Sequence, residues 1–211
     1  MMNVLAYADD IVLLAPSWVA LQSLLSVLEI GIKEIDVTCN TSKTVCMIFK
    51  PVCRNKVVWD VFPAFMLSGQ RLQFINDFKY LGHIVNNDCT DDYDIKREIR
   101  NLYARANILN RRFSRCSVAV KLMLFKSYCM CLYDAALWTA FNAGTLDRLK
   151  ACYNKCIKIL FGYSRMYSVT TMLSELDLPT FCSLIEKHRI SFREQLQLSI
   201  NMIVRHFVNI F

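Results

Sequence analysis

The chain lacks the marks of export and of membrane insertion. No basic n-region with a small-residue cleavage site opens it, which argues against a signal peptide. No apolar run is clean enough to span a bilayer. Pro16, Gln22 and Glu29 interrupt Ile11 to Ile32, and Asp9–Asp10 abut it. Leu122 to Ala143 contains Lys126 and Asp134, each costing about 2.5–3.5 kcal/mol at a bilayer centre. The expectation is therefore an intracellular chain with no membrane partner. Internal repeats and low-complexity tracts are also missing.

The ten cysteines form no paired CxxC spacing and no disulfide framework. Cys39, Cys46 and Cys53 recur every seven residues, but no histidine lies near them to complete a zinc site. Cys129-x-Cys131 and Cys152-x3-Cys156 lie in apolar, helix-patterned stretches, where cysteine behaves as a small hydrophobe. Reduced, buried thiols are expected.

What is present is apolar mass and an uneven charge. Hydrophobic residues make up 55% of the 211 and charged residues 20%, enough for a real core and too apolar for disorder. Residues 1–90 carry 7 basic and 8 acidic side chains, and residues 91–211 carry 18 and 10, so the whole +7 excess lies in the second half. Such asymmetry points that half toward a polyanion.

Along the chain, Val4–Tyr7 and Ile11–Leu14 read as buried strands of a hairpin around Asp9–Asp10. Ser17 is placed to cap a helix to about residue 35, with Leu21, Leu24, Leu25 and Leu28 on one face. Val45–Phe49 reads as a strand, Phe65–Leu67 and Leu72–Ile75 as a hairpin around Ser68-Gly69-Gln70, and Phe78–Val85 as a further strand. The polar stretch from Asn86 and the acidic cluster Asp91, Asp92 and Asp94 set a domain boundary near residue 88, dividing 1–88 from 89–211.

Beyond the boundary the period becomes helical. Ile95, Ile99, Leu102, Ala106, Leu109 and Phe113 fall within about 40° of one direction. Arg97, Arg100, Arg105, Arg111, Arg112 and Arg115 take the opposite side, either as a phosphate-binding stripe or as a solvated face. Further helices are expected at about 117–142, 145–161 and 180–207, with Gly144 between the first two and Gly162 and Pro179 bounding an irregular stretch.

Two adjacent aspartates between apolar strands pose a physical problem, because half-buried carboxylates are costly without cations. A tight turn that holds Asp9 and Asp10 at a strand tip would let them ligate a hard divalent ion. The alternative is an ordinary turn in which aspartate suits the backbone.

Leu5-Ala6-Tyr7-Ala8-Asp9-Asp10-Ile11-Val12-Leu13-Leu14 resembles the Tyr-x-Asp-Asp hairpin of reverse transcriptases, above all those of non-LTR (LINE-type) retrotransposons. Asn40-Thr41-Ser42-Lys43-Thr44 is similar to that family's Asn-x-x-Lys-Thr segment, and Phe78-Lys79-Tyr80-Leu81-Gly82 to its primer grip. Leu132–Trp138 and Cys156–Gly162 look like parts of the family's thumb and following segment. The order and spacings of the three motifs match.

The resemblance implies an α+β fold: part of a palm over 1–88, then a helical thumb and C-terminal helices over 89–211. It implies Mg2+-dependent, RNA-templated DNA synthesis from deoxynucleoside triphosphates on a DNA primer. Asp9 would be the principal metal ligand with Asp10 beside it, and Tyr7 would lie at the primer end. Lys43 would meet the nucleotide phosphates or stay a solvated lysine. Phe78, Lys79, Tyr80 and Gly82 would grip the primer strand, or the two aromatics would be ordinary core. The family also needs an aspartate from an earlier palm strand, and fingers ahead of it. The expectation is thus a fragment, silent alone, whose partner is the N-terminal half of the same polyprotein. A noncatalytic nucleic-acid-binding relic and a functionless remnant are the competing expectations.

Overall fold

The computed structural model describes residues 3–51 and 62–207. The chain divides into two compact units, Met1–Phe78 with Asn86–Cys89, and Lys79–Val85 with Thr90–Phe211. Small sheets dominate the first and helices the second, an α+β composition. Cys53 of the seven-residue cysteine series lies outside the described residues.

In the first unit, β1 (Val4–Tyr7) pairs antiparallel with β2 (Asp10–Leu13), and α1 (Trp18–Glu34) follows. Ser17 caps α1 by accepting from the Ala20 amide at 3.3 Å. Leu25 and Ile32 are buried on it, while Val19, Val27 and Ile30 face outward. β3 (Val45–Cys46) runs parallel to β6 (Gln73–Phe74), and β4 (Met66–Leu67) forms a hairpin with β5 (Gln70–Arg71). Ser68 and Gly69 both take positive φ, the backbone a tight hairpin requires. The Gln22 amide donates to the Met66 carbonyl and accepts from its N–H, both at 3.1 Å, so α1 secures the outer edge of β4. Trp18 stacks on Phe65 and donates to the Pro63 carbonyl.

These strands are shorter than the apolar runs that suggested them. The run Val45–Phe49 is strand only at Val45–Cys46, because its partner β6 offers two residues. The first hairpin is not buried: Val4, Tyr7 and Ile11 are 49%, 63% and 47% exposed among the described residues. The run Phe78–Val85 is two strands, β7 (Asp77–Tyr80) and β8 (His83–Asn86), turned by Leu81 and Gly82 at φ 47° and 97°.

In the second unit, α2 (Asp92–Arg112) packs chiefly on α4 (Ala143–Phe161). Ile95, Leu102, Ala106 and Leu109 are buried between them with Leu149, Cys152, Cys156 and Ile157. The expected helix over 117–142 stops early: α3 is Val118–Tyr128, and Cys129 to Phe141 is turn and loop. Side chains of the α2 N-terminus hold that loop, Asp91 accepting from the Thr139 and Ala140 amides and Asp92 from Asn142. Gly144 lies within the first turn of α4, whose cap is Asn142. Gly162, at φ 77°, closes α4 in the left-handed conformation that glycine allows.

The stretch read as irregular contains α5 (Val169–Glu175), and the last helix is broken into α6 (Phe181–Leu198) and α7 (Met202–Phe207). No helix among the described residues is long and apolar enough to cross a membrane.

Candidate functional site

The aspartate hairpin departs from its expected geometry by one residue. Tyr7 pairs with Asp10, so the two turn residues are Ala8 and Asp9, and Asp10 opens β2. Ala8 carries the positive φ, 52°. Both carboxylates are exposed, and neither makes an ion pair or side-chain hydrogen bond among the described residues. The pair therefore offers uncommitted oxygen donors, the chemistry a hard cation takes. No third carboxylate joins them, since the one group of potential metal ligands among the described residues lies elsewhere.

Asn40 organises the segment that carries Lys43. Its side-chain oxygen accepts from the Ser42 hydroxyl at 2.7 Å and the Lys43 amide at 3.1 Å, and its carbonyl accepts from the Thr44 amide and hydroxyl. An Asx turn of this kind presents the next side chains outward. Lys43 is exposed and is not joined to Asp9 or Asp10 by any hydrogen bond or ion pair. In the β7–β8 hairpin, Phe78 and Lys79 are exposed and Tyr80 is half-buried. The two aromatics are therefore not core residues of the described structure.

The arginine stripe does not stay one stripe. Arg100, Arg111, Arg112 and Arg115 are exposed, and Arg115 lies past the end of α2. Arg97 and Arg105 are turned to internal acids. Arg97 donates to Asp94 at 2.7 Å and to Asp134 at 2.5 Å, and Arg105 pairs with the buried Glu98. Charge compensation of a buried carboxylate outweighs solvation of a guanidinium here, which removes two of the six cations from any phosphate-facing surface.

A network of buried and half-buried charged groups surrounds Arg97. Asp94 is fully buried and accepts from the Ile84 amide at 3.0 Å, Arg97 Nε and Trp138 Nε1 at 2.9 Å. Burial alone would raise its pKa. Hydrogen bonds from His83, Arg97, Trp138 and Ile84 outweigh that and hold it far below the usual carboxylate range.

His83 Nδ1 stands 3.3 Å from Asp94 and 3.9 Å from Asp134, and its Nε2 3.8 Å from Asp91. Its interactions with Asp94, then with the other two carboxylates, raise its pKa against the opposing effect of burial. His83, Asp94 and Asp134 bring ligand atoms within 4.8 Å of one another, a spacing that suits a metal. The Arg97 guanidinium already bridges the two aspartates, however, so a cation occupies the charge well that an ion would need.

The chain matches no protein-family model, no curated protein and no solved structure. Its function must be argued from its own residues.

The His83 cluster was not visible as a site in the sequence. Its one signal was Asp134 and Trp138 inside an otherwise apolar run, and the partners lie 37 and 44 residues away. The thiols are mixed rather than uniformly buried: Cys46, Cys129, Cys152 and Cys156 are buried, but Cys89 and Cys182 are exposed. Cys129 ends α3 and Cys131 follows it, so that pair does not share a helix. Burial pushes the Cys46 thiol to about 11 and the Cys129 thiol to about 12, which leaves both unreactive.

Proposed function

We propose that the chain is the palm-hairpin and thumb portion of a LINE-type reverse transcriptase, acting in RNA-directed DNA synthesis together with palm and finger segments of the same polyprotein. The observation that carries the reading is the hairpin tip, where Asp9 and Asp10 stand exposed and adjacent, with no ion pair or side-chain hydrogen bond among the described residues. Further support is the order of the three motifs, with Lys43 on an Asx turn and Phe78 to Gly82 in a tight hairpin.

The donor set fits Mg2+. Asp9 and Asp10 would hold the ion, and the chemistry it supplies is charge stabilisation on the attacking and leaving oxygens of an in-line phosphoryl transfer. Tyr7, paired across from Asp10, would support the primer end. Lys43 would deliver a proton to the departing pyrophosphate, and Phe78, Lys79, Tyr80 and Gly82 would hold the primer strand. Among the described residues no third carboxylate joins the pair, so a two-ion site would need donors beyond Asp9 and Asp10.

Noncatalytic binding of nucleic acid is the second reading, favoured by the exposed Arg100 within α2 and Arg111 and Arg112 in its last turn. Primer extension on an RNA template with Mg2+ separates the two. The chain alone should extend nothing, a fusion behind the fingers and first palm strands of a LINE-type enzyme should extend, and Asp9→Asn should silence that fusion. A fusion whose extension ignores Asp9→Asn would overturn the polymerase reading.

A further inference from the structure

The tip of the β7–β8 hairpin is held within the second unit by one charged cluster, and one member of that cluster is a histidine facing three carboxylates. Facing His83 are Asp91, Asp94 and Arg97 from α2 and Asp134 from the 129–141 loop, with Glu98 behind Arg97. The next residue, Ile84, donates its amide to Asp94.

Against the four acids stand two guanidinium groups, Arg97 and Arg105, so a protonated His83 reduces a surplus of negative charge. Nδ1 of His83 faces the Asp94 carboxylate at 3.3 Å, and its attraction to that carboxylate weakens when the ring loses its proton. Aspartate, glutamate and arginine keep their charges from about pH 5 to 9, which leaves histidine as the group that changes.

We infer that His83 is a proton-operated clasp: protonated, it draws the hairpin tip onto the N-terminus of α2 and the 129–141 loop, and on losing its proton it lets the tip open. The inference does not depend on the polymerase reading, because it rests on contacts within one unit. The direction follows from linkage. A histidine whose pKa is raised on folding contributes its stabilisation in full below the unfolded value of about 6.5, and that contribution is lost as pH rises through the folded value.

The test is an NMR titration of the imidazole nitrogens in the full chain, with hydrogen exchange at the Ile84 amide from pH 5 to 9. The His83 resonance is assigned by its disappearance in His83→Gln. His83 should titrate above 6.5, and Ile84 protection, corrected for intrinsic exchange, should fall about tenfold per pH unit of elevation. Asp134→Asn should lower the midpoint, since it removes one facing charge. A midpoint at or below 6.5, or Ile84 protection indifferent to it, overturns the clasp. If His83→Gln does not fold, Asp134→Asn supplies the assignment through its shifted midpoint, and the wild-type titration decides alone.

Discussion

Replacing Asp94 by asparagine keeps the shape of the side chain and removes its charge. In the wild type, one fully buried carboxylate satisfies the Ile84 amide, Arg97 Nε and Trp138 Nε1 at once. Asparagine retains one carbonyl oxygen, which can keep the Ile84 amide or the indole but not all three donors. Arg97 would keep Asp134 and Glu98, so it is not orphaned. The loss is therefore about one charge-assisted hydrogen bond, worth about 1.5–3 kcal/mol, and one buried donor left unmet, costing about 1–3 kcal/mol. The sum, about 2.5–6 kcal/mol, brackets the roughly 3–5 kcal/mol cost of breaking a buried ion pair. It is a large fraction of the roughly 5–15 kcal/mol that holds a domain together.

Urea unfolding followed by helical circular dichroism reads the second unit, where most of the helix lies. The pH dependence checks the origin of the loss. A carboxylate with a depressed pKa stabilises above its unfolded value of about 3.9, and that contribution drains away as pH falls toward the folded value. The penalty of Asp94→Asn should thus be full at pH 6 and shrink at pH 3. A penalty under about 0.5 kcal/mol, the range of ordinary surface substitutions, would refute the reasoning.

Three further variants test other parts of the structure. Leu81 sits at φ 47° and is 53% exposed, a conformation that costs a leucine about 1–2 kcal/mol, so Leu81→Asn should raise the midpoint of thermal unfolding. A lower midpoint would show that the leucine side chain makes contacts that matter more than its backbone strain. Arg100→Gln, Arg111→Gln and Arg112→Gln together should flatten the salt dependence of binding to an RNA–DNA duplex by about 0.9 per lost phosphate contact, with helicity unchanged. Arg105→Gln should instead lower stability, because it leaves the buried Glu98 only its longer contact with Arg97. An unchanged salt slope in the triple variant would make the exposed arginines a solvated face.

Features set by neighbouring residues were legible in the sequence, and features set by distant ones were not. Ser17 caps α1 through a bond three residues away, and Gly162 ends α4 by its own backbone freedom. The apolar side of α2 followed from period alone, and Ile95, Leu102, Ala106 and Leu109 are buried as that period requires. The end of α3 at Tyr128 had no local signal, because Met130, Cys131 and Leu132 continue an apolar pattern. The loop that replaces the expected helix is held from α2, by Asp91 and Asp92 bonding to amides 48 to 50 residues away.

Apolar pattern alone reads Phe78–Val85 as one strand, because leucine is a poor residue for the positive φ that the turn at Leu81-Gly82 takes. Arg97 and Arg105 read as surface cations because a helical projection shows which side a residue takes, not which acids of other segments come to meet it. Tyr7, Asp9 and Asp10 were legible as a hairpin, but its register, with Ala8 rather than Asp10 in the turn, was not.

The unequal cores of the two units bear on how the chain comes apart. The helical unit buries a continuous cluster running from Ile95 to Ile185, whereas the first unit gathers Leu25, Cys46, Phe65, Leu67 and Leu72 around a set of two-stranded sheets. Two cooperative blocks of such different size do not melt at one temperature. A calorimetric scan should resolve an early, shallow endotherm and a later, sharper one. During limited digestion, the bonds of the sheet-bearing block should be cut while the helices from Asp92 onward persist as a resistant fragment.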